Sequence, residues 1–112
     1  AIIGILAAVL IPNLMNARTA AAERAAQAHT SNVYTSFIAA LADKSTADAA
    51  TIITDDASGT DCEVAGTVGR YSWVAGPSMT SCTIAADGDT DFTVQAVVNG
   101  KTFENGRDVT TP

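Results

Sequence analysis

A chain of 112 residues with twelve Asp or Glu, six Lys or Arg and a net charge of -6 has room for one domain and a modest core. That charge balance repels phosphate backbones, so direct nucleic-acid binding is not expected of the lone chain. Cys62 and Cys82 are too few for a thiolate zinc site and are not a CxxC pair. An even count in a Thr-rich chain of exported character reads as one disulfide formed in an oxidising compartment. Two buried free thiols in a cytosolic protein are the alternative.

The first eleven residues, AIIGILAAVLI, carry no polar side chain and run into Pro12. As a helix they rise about 17 Å, roughly half of a hydrocarbon core of about 30 Å. No basic residue precedes them and no cleavage motif follows, unlike a secretory signal. Such a segment either packs against other protein or has lost its true beginning. From Ala1 to about Ala42 the sequence reads as one long helix, with no glycine between Gly4 and Gly59. Pro12 removes a helical hydrogen bond and is expected to kink or locally unwind the turn before it. Past Arg18 the helix becomes amphipathic, and Val33, Tyr34, Phe37, Ile38 and Leu41 form one stripe.

Residues 43–61 read as a polar linker around a short TII run. Short strands follow over 62–104. In RYSWVA, Tyr71 and Trp73 face one way. Cys82 and Ile84 share a side, and Phe92, Val94, Ala96 and Val98 alternate through DFTVQAVV. GPS at 76–78, DGD at 87–89 and Asn99-Gly100 mark turns, the last like a tight hairpin. Residues 105–112 look loosely held. The predicted class is α+β: a long amino-terminal helix whose second half packs on a small antiparallel sheet of three or four strands. Residues 1–24 form an apolar half-helix without an intramolecular partner. Residues 25–112 form a head of helix 25–42, connection 43–61, sheet 62–104 and tail 105–112. An exposed apolar patch of that size marks an assembly or membrane surface.

The stretch AIIGILAAVLIPNLMNAR resembles the amino-terminal helix of bacterial type IV pilins and pseudopilins. Gly4, Ala7, Ala8, Ile11, Pro12 and Asn13 stand in that family's order and spacing. The rest of the chain matches in architecture alone: helix, polar connection, antiparallel sheet, one disulfide. Mature members usually start about ten residues earlier, with an aromatic residue, Thr-Leu and a glutamate, so the resemblance makes Ala1 an internal position. About ten more apolar residues would complete the ~20 that a spanning helix needs. It also implies a filament subunit that waits in the inner membrane, is extracted by a pilus assembly machinery, and stacks as a helical homo-oligomer into an extracellular filament, or fimbrium. The core-helix residues carried over are Ile2, Ile3, Gly4, Ile5, Leu6, Val9, Leu10, Ile11, Pro12 and Leu14. The family often unwinds this stretch in filaments, and Gly4 and Pro12 make unwinding inexpensive. A kinked but continuous helix is the alternative. Many pilins close a disulfide loop near the carboxyl end, whereas 30 residues follow Cys82 here. The bond is expected to tie the connection before the sheet to one of its strands.

No nucleotide-binding glycine loop, HExxH or catalytic carboxylate pair is present in the sequence, so no enzyme and no cofactor is expected. Asp87, Asp89 and Asp91 alternate like the start of a calcium loop, but no later Glu completes it, and an ordinary hairpin turn is the alternative. His29, alone mid-helix, suits a polar face or a subunit contact. Trp73 and Tyr71 are expected to fill the core between sheet and helix. Arg18, Glu23 and Arg24 either meet lipid headgroups and later opposite charges, or form a solvated face. Two functions follow. One is a structural subunit of a type IV pilus, serving adhesion, twitching motility or DNA uptake, as a major subunit or at the tip. The other is a pseudopilin of a type II secretion system. Outside the family, a membrane-anchored binding domain predicts monomers. No N-x-[ST] site occurs, which argues against N-glycosylation.

Overall fold

One helix, α1 (Ile2–Asp43), runs the length of a molecule measuring 69 × 30 × 18 Å. At 1.5 Å per residue its 42 residues account for about 63 Å of the long dimension. The computed structural model describes residues 2–44, 47–77 and 79–110, with 6–16 described by their backbone path alone. The backbone stays helical across Gly4 and Pro12. Local unwinding before Pro12 is therefore not a property of the isolated chain. A helix of this length absorbs one missing hydrogen bond when the turns on both sides propagate.

The carboxyl-terminal half of α1 lies across a four-stranded antiparallel sheet, β3 (Ser81–Asp87), β4 (Asp91–Val98), β5 (Lys101–Glu104) and β6 (Arg107–Asp108), in the order β3-β4-β5-β6. Its principal neighbour is β4. Phe92, Val94, Ala96 and Val98 of β4 are all buried, as alternation requires of a strand with one face covered. The first three share a core with Val33 and Phe37 of the helix stripe, both wholly buried. Phe37 sits between two rings, its centroid 5.5 Å from Trp73 and 5.1 Å from Phe92. A smaller cluster of Ala26, Val98 and Phe103 closes the end of the head nearest the apolar half-helix.

The turns follow their residues. Val98 pairs with Lys101 across Asn99 and Gly100, whose φ angles of 52° and 77° give the left-handed pair of a two-residue hairpin. Asn105 and Gly106 repeat that geometry, at 53° and 87°, and turn β5 into β6. The tail thus begins as a strand, a correction to the loose segment expected at 105–112. This turn is also anchored to α1. Gln27 Nε2 donates to the Gly106 carbonyl at 2.9 Å, and the Gly106 N–H donates to Thr30 Oγ1 at 2.9 Å. Asn105 extends the ladder with its side chain, accepting from Val94 N–H and donating to the Phe92 carbonyl.

Two further corrections concern the middle of the chain. The connection 43–61 is partly helical, with a short α2 (Ala49–Thr51) followed by a single π turn, Ile52–Asp56. Asp48 caps it by accepting from Thr51 N–H at 2.8 Å. Ala49 and Ile52 are wholly buried and Ile53 packs against them, so the two isoleucines of the TII run belong to the core and not to a linker. The strands after it do not form one meander. β1 (Gly66–Val68) and β2 (Tyr71–Trp73) pair as a separate two-stranded ribbon turning at Gly69. Trp73 holds this ribbon in place, donating from Nε1 to the Val64 carbonyl at 2.9 Å. Gly66 lies against the indole, where a Cβ would collide with the ring.

Cys62 and Cys82 form a disulfide with Cα atoms 5.1 Å apart, joining the segment before β1 to β3 as expected. Around it, residues 60–62 run along the outer edge of β3. Ile84 N–H donates to the Thr60 carbonyl at 2.9 Å and Cys62 N–H to the Cys82 carbonyl at 3.2 Å. That edge is thereby covered.

Candidate assembly surface

The helix that organises the head continues beyond it. Its first turn presents Ile2, Ile3 and Ile5 to solvent at 75%, 83% and 66% exposure. Apart from the helix's own backbone and Gly4's chain neighbours, no atom of the described residues lies within 4 Å of the Cβ position of Gly4. Three branched apolar side chains on one exposed turn leave a water-facing surface that burial against apolar partners would relieve, at about 25 cal/mol per Å². Of the other predicted core-helix residues, Leu6, Val9, Leu10, Ile11, Pro12 and Leu14 lie on the same helical backbone, and their side chains fall outside the described residues. Among the described residues, no helix is long and apolar enough to cross a membrane.

Past this segment the helix turns polar. Residues 17–21 are exposed, Arg18 among them. Glu23 Oε2 accepts an ion pair from Lys101 Nζ at 3.2 Å, which ties the β4–β5 turn to the helix. Arg24 is exposed. At the opposite end of the head two ion pairs brace the close of α1. Arg70 reaches Asp43 with two nitrogens, at 2.8 and 3.1 Å, and Lys44 Nζ meets Asp56 at 2.7 Å. Arg70 holds the Asp43 carboxyl below its ordinary range, with help from Tyr71. Exposed pairs of this kind add little stability.

His29 is not on a polar face. It is 5% exposed and faces the head, with Nε2 2.6 Å from the Cys62 carbonyl. Gly76 packs directly on its ring, where any Cβ would clash. The residue is therefore a pin between α1 and the disulfide segment, which overturns its assignment to a polar or subunit-contact surface. The signal for this lay in the helix stripe. Ala26, His29, Thr30, Val33, Phe37 and Ala40 share the spacing of the buried face, which extends about two turns further back than its large apolar residues suggest.

The carboxylates of DGDTD separate by role. Asp91 Oδ1 accepts from the Tyr34 hydroxyl at 2.6 Å and from Phe92 N–H at 2.9 Å. These two donors hold its carboxyl below the ordinary range, Tyr34 contributing most. Tyr34 is pushed the other way by the same bond, with burial adding to it. Asp87 and Asp89 are exposed at the β3–β4 turn. Among the described residues no three His, Cys, Asp or Glu side chains gather as a metal-binding group, and no ligand-sized pocket is present. Trp73 fills the core as expected, and Tyr71 is half-buried beside it, its ring 5.7 Å from the Arg70 guanidinium.

No family model, curated protein or solved structure matches this chain.

Proposed function

We propose that this chain is the structural subunit of a filament of the type IV pilus kind. One observation carries the reading. A single helix is covered by its own head over one half and presents Ile2, Ile3 and Ile5 bare at the other. Such an end is unfavourable in water and satisfied either by lipid or by copies of itself. Identical subunits stacked by one repeated contact make an open helical assembly. In this reading the subunit waits in an inner membrane, assembles through its apolar half-helices, and ends as an extracellular filament. The role is structural and not enzymatic. A disulfide-braced head suits that destination, because a filament surface meets an oxidising environment.

Electron microscopy of filaments sheared from cells, with peptide identification, tests the proposal. Long filaments composed chiefly of this chain are expected. Cells that make the chain and secrete proteins normally but carry no such filaments would instead support the pseudopilin role, and a monomer in membranes would support the anchored binding domain.

A further inference from the structure

Two Asn-Gly dipeptides close hairpins of the same geometry, and the fold treats them oppositely. Asn105 and Gly106, at the β5–β6 turn, are held on every side. The Asn105 side chain accepts from Val94 N–H at 2.8 Å and donates to the Phe92 carbonyl at 3.0 Å, and its own N–H donates to the Val94 carbonyl at 3.0 Å. The Gly106 N–H donates to Thr30 Oγ1 and its carbonyl accepts from Gln27 Nε2, both at 2.9 Å. A Cβ on Gly106 would stand 2.9 Å from Ser31 Cβ, so this turn lies directly on α1. Asn99 and Gly100, at the β4–β5 turn, have none of that support. Both are exposed. Among the described residues, neither the Asn99 side-chain amide nor the Gly100 N–H has a hydrogen-bond partner. Apart from the chain neighbours of Gly100, no described atom lies within 4 Å of its Cβ position.

We infer that Asn99 is a site of spontaneous covalent modification, deamidation through a cyclic imide, and that the fold shields Asn105 from the same reaction. The inference does not depend on the filament reading. The Gly100 backbone nitrogen gives up its proton and attacks Cγ of Asn99. A new N–Cγ bond closes a succinimide ring, the Cγ–Nδ2 bond breaks, and the proton leaves with the departing ammonia. Water then opens the ring. Addition at Cγ leaves aspartate, and addition at the Asn99 backbone carbonyl carbon leaves isoaspartate, with the chain routed through Cγ. Nothing is oxidised or reduced, and solvent water is the one co-reactant. The reaction needs a backbone nitrogen not tied up as a donor, an amide able to rotate, and a turn able to open. Gly100 puts no side chain in the way of ring closure, and the tip of a hairpin opens without unfolding the core. At Asn105 each requirement fails. The Gly106 nitrogen is donating to Thr30, the Asn105 amide is fixed by β4, and opening the turn breaks its bonds to α1. The change at Asn99 turns a neutral amide into a carboxylate, and loss of ammonia makes it one-way. As isoaspartate it also adds a backbone carbon to the turn that matches Val98 with Lys101, the partner of Glu23.

The experiment follows two samples of the full chain in mildly alkaline buffer, one folded in mild detergent and one unfolded in guanidinium chloride with its disulfide reduced. Trp73 fluorescence verifies the state of each. Peptide mass spectrometry reads the amide-to-carboxylate change at residues 99 and 105 over time, and chromatography separates aspartate from isoaspartate. Unfolded, the two sites are expected to convert at rates within about threefold of each other, because each is an asparagine followed by glycine and neither keeps its hydrogen bonds. Folded, Asn99 is expected to convert at least about tenfold faster than Asn105, with isoaspartate among its products. Equal rates in the folded chain, or a faster Asn105, overturn the inference. So does an Asn99 that stays intact in the folded chain while the unfolded chain converts. A difference equally large in the unfolded chain overturns it as well, since local sequence and not the fold would then set it. Aspartate without isoaspartate at position 99 overturns the cyclic route, because direct hydrolysis of the side-chain amide yields aspartate alone.

Discussion

The two halves of α1 face different solvents. Around Phe37 the helix is roofed by a sheet and an indole, and Val33 and Phe37 have no exposure. At Ile2, Ile3 and Ile5 the same helix has equally apolar residues and no cover. Helical structure is continuous through both, so helix propensity does not distinguish them. What distinguishes them is whether this chain supplies the partner. An element that stays regular while its burial stops marks, in the proposed reading, the point where the fold hands over to an assembly.

Mutations that act on one half and not on the other sharpen this contrast. The largest loss of stability is expected from Phe37→Ala, which empties the space between Trp73 and Phe92 and should cost about 3–5 kcal/mol. Unfolding in urea, followed by the fluorescence of the single tryptophan, Trp73, measures it. A cost near zero would mean that the sheet does not depend on the helix. Next is the disulfide. Cys62 and Cys82 are 20 residues apart, and replacing both with serine should cost about 3 kcal/mol in the same assay.

A smaller effect is expected at Tyr34. Because Asp91 is held below its ordinary carboxyl range in the folded chain, its contribution is present above the unfolded value of about 3.9 and is lost as pH falls through the folded one. Tyr34→Phe removes the principal cause of that shift. The variant should lose less stability than the unchanged chain between pH 5 and acid, with the two curves converging at low pH. A gap that stays constant with pH would assign Tyr34 to packing instead. Least of all is expected from Arg70→Ala. Its pair with Asp43 is solvent-exposed, and the unfolding midpoint should not move measurably.

Most of the head was legible because its signals are local. Alternation through DFTVQAVV, the Asn99-Gly100 dipeptide and the cysteine pair each specify structure without knowledge of distant residues. The class, α+β with a helix on an antiparallel sheet, follows from them. The connection was not legible, since what makes Ala49 and Ile52 core is the distant surface they land on, and a polar composition conceals two buried residues. Asp48 at the head of AAT was the available cap signal. The short β6 strand was a missed signal of a known kind, because Asn105-Gly106 is the same turn dipeptide as Asn99-Gly100. His29 was misplaced because its partner, the Cys62 carbonyl, is a backbone group 33 positions away that no side-chain pattern advertises. The apolar turn is the opposite case. Sequence marks Ile2, Ile3 and Ile5 as greasy, and the fold adds that its own head leaves them uncovered.

The central claim is that the bare turn serves assembly while the head stands without it. Replacing Ile2, Ile3 and Ile5 together with serine, in the full chain, tests this most directly when filament yield and the Trp73 unfolding transition are measured on the same variant. The account predicts that filaments fall about tenfold or more while the transition midpoint stays where it was. Filaments at the normal level, or a head that unfolds along with their loss, would contradict it.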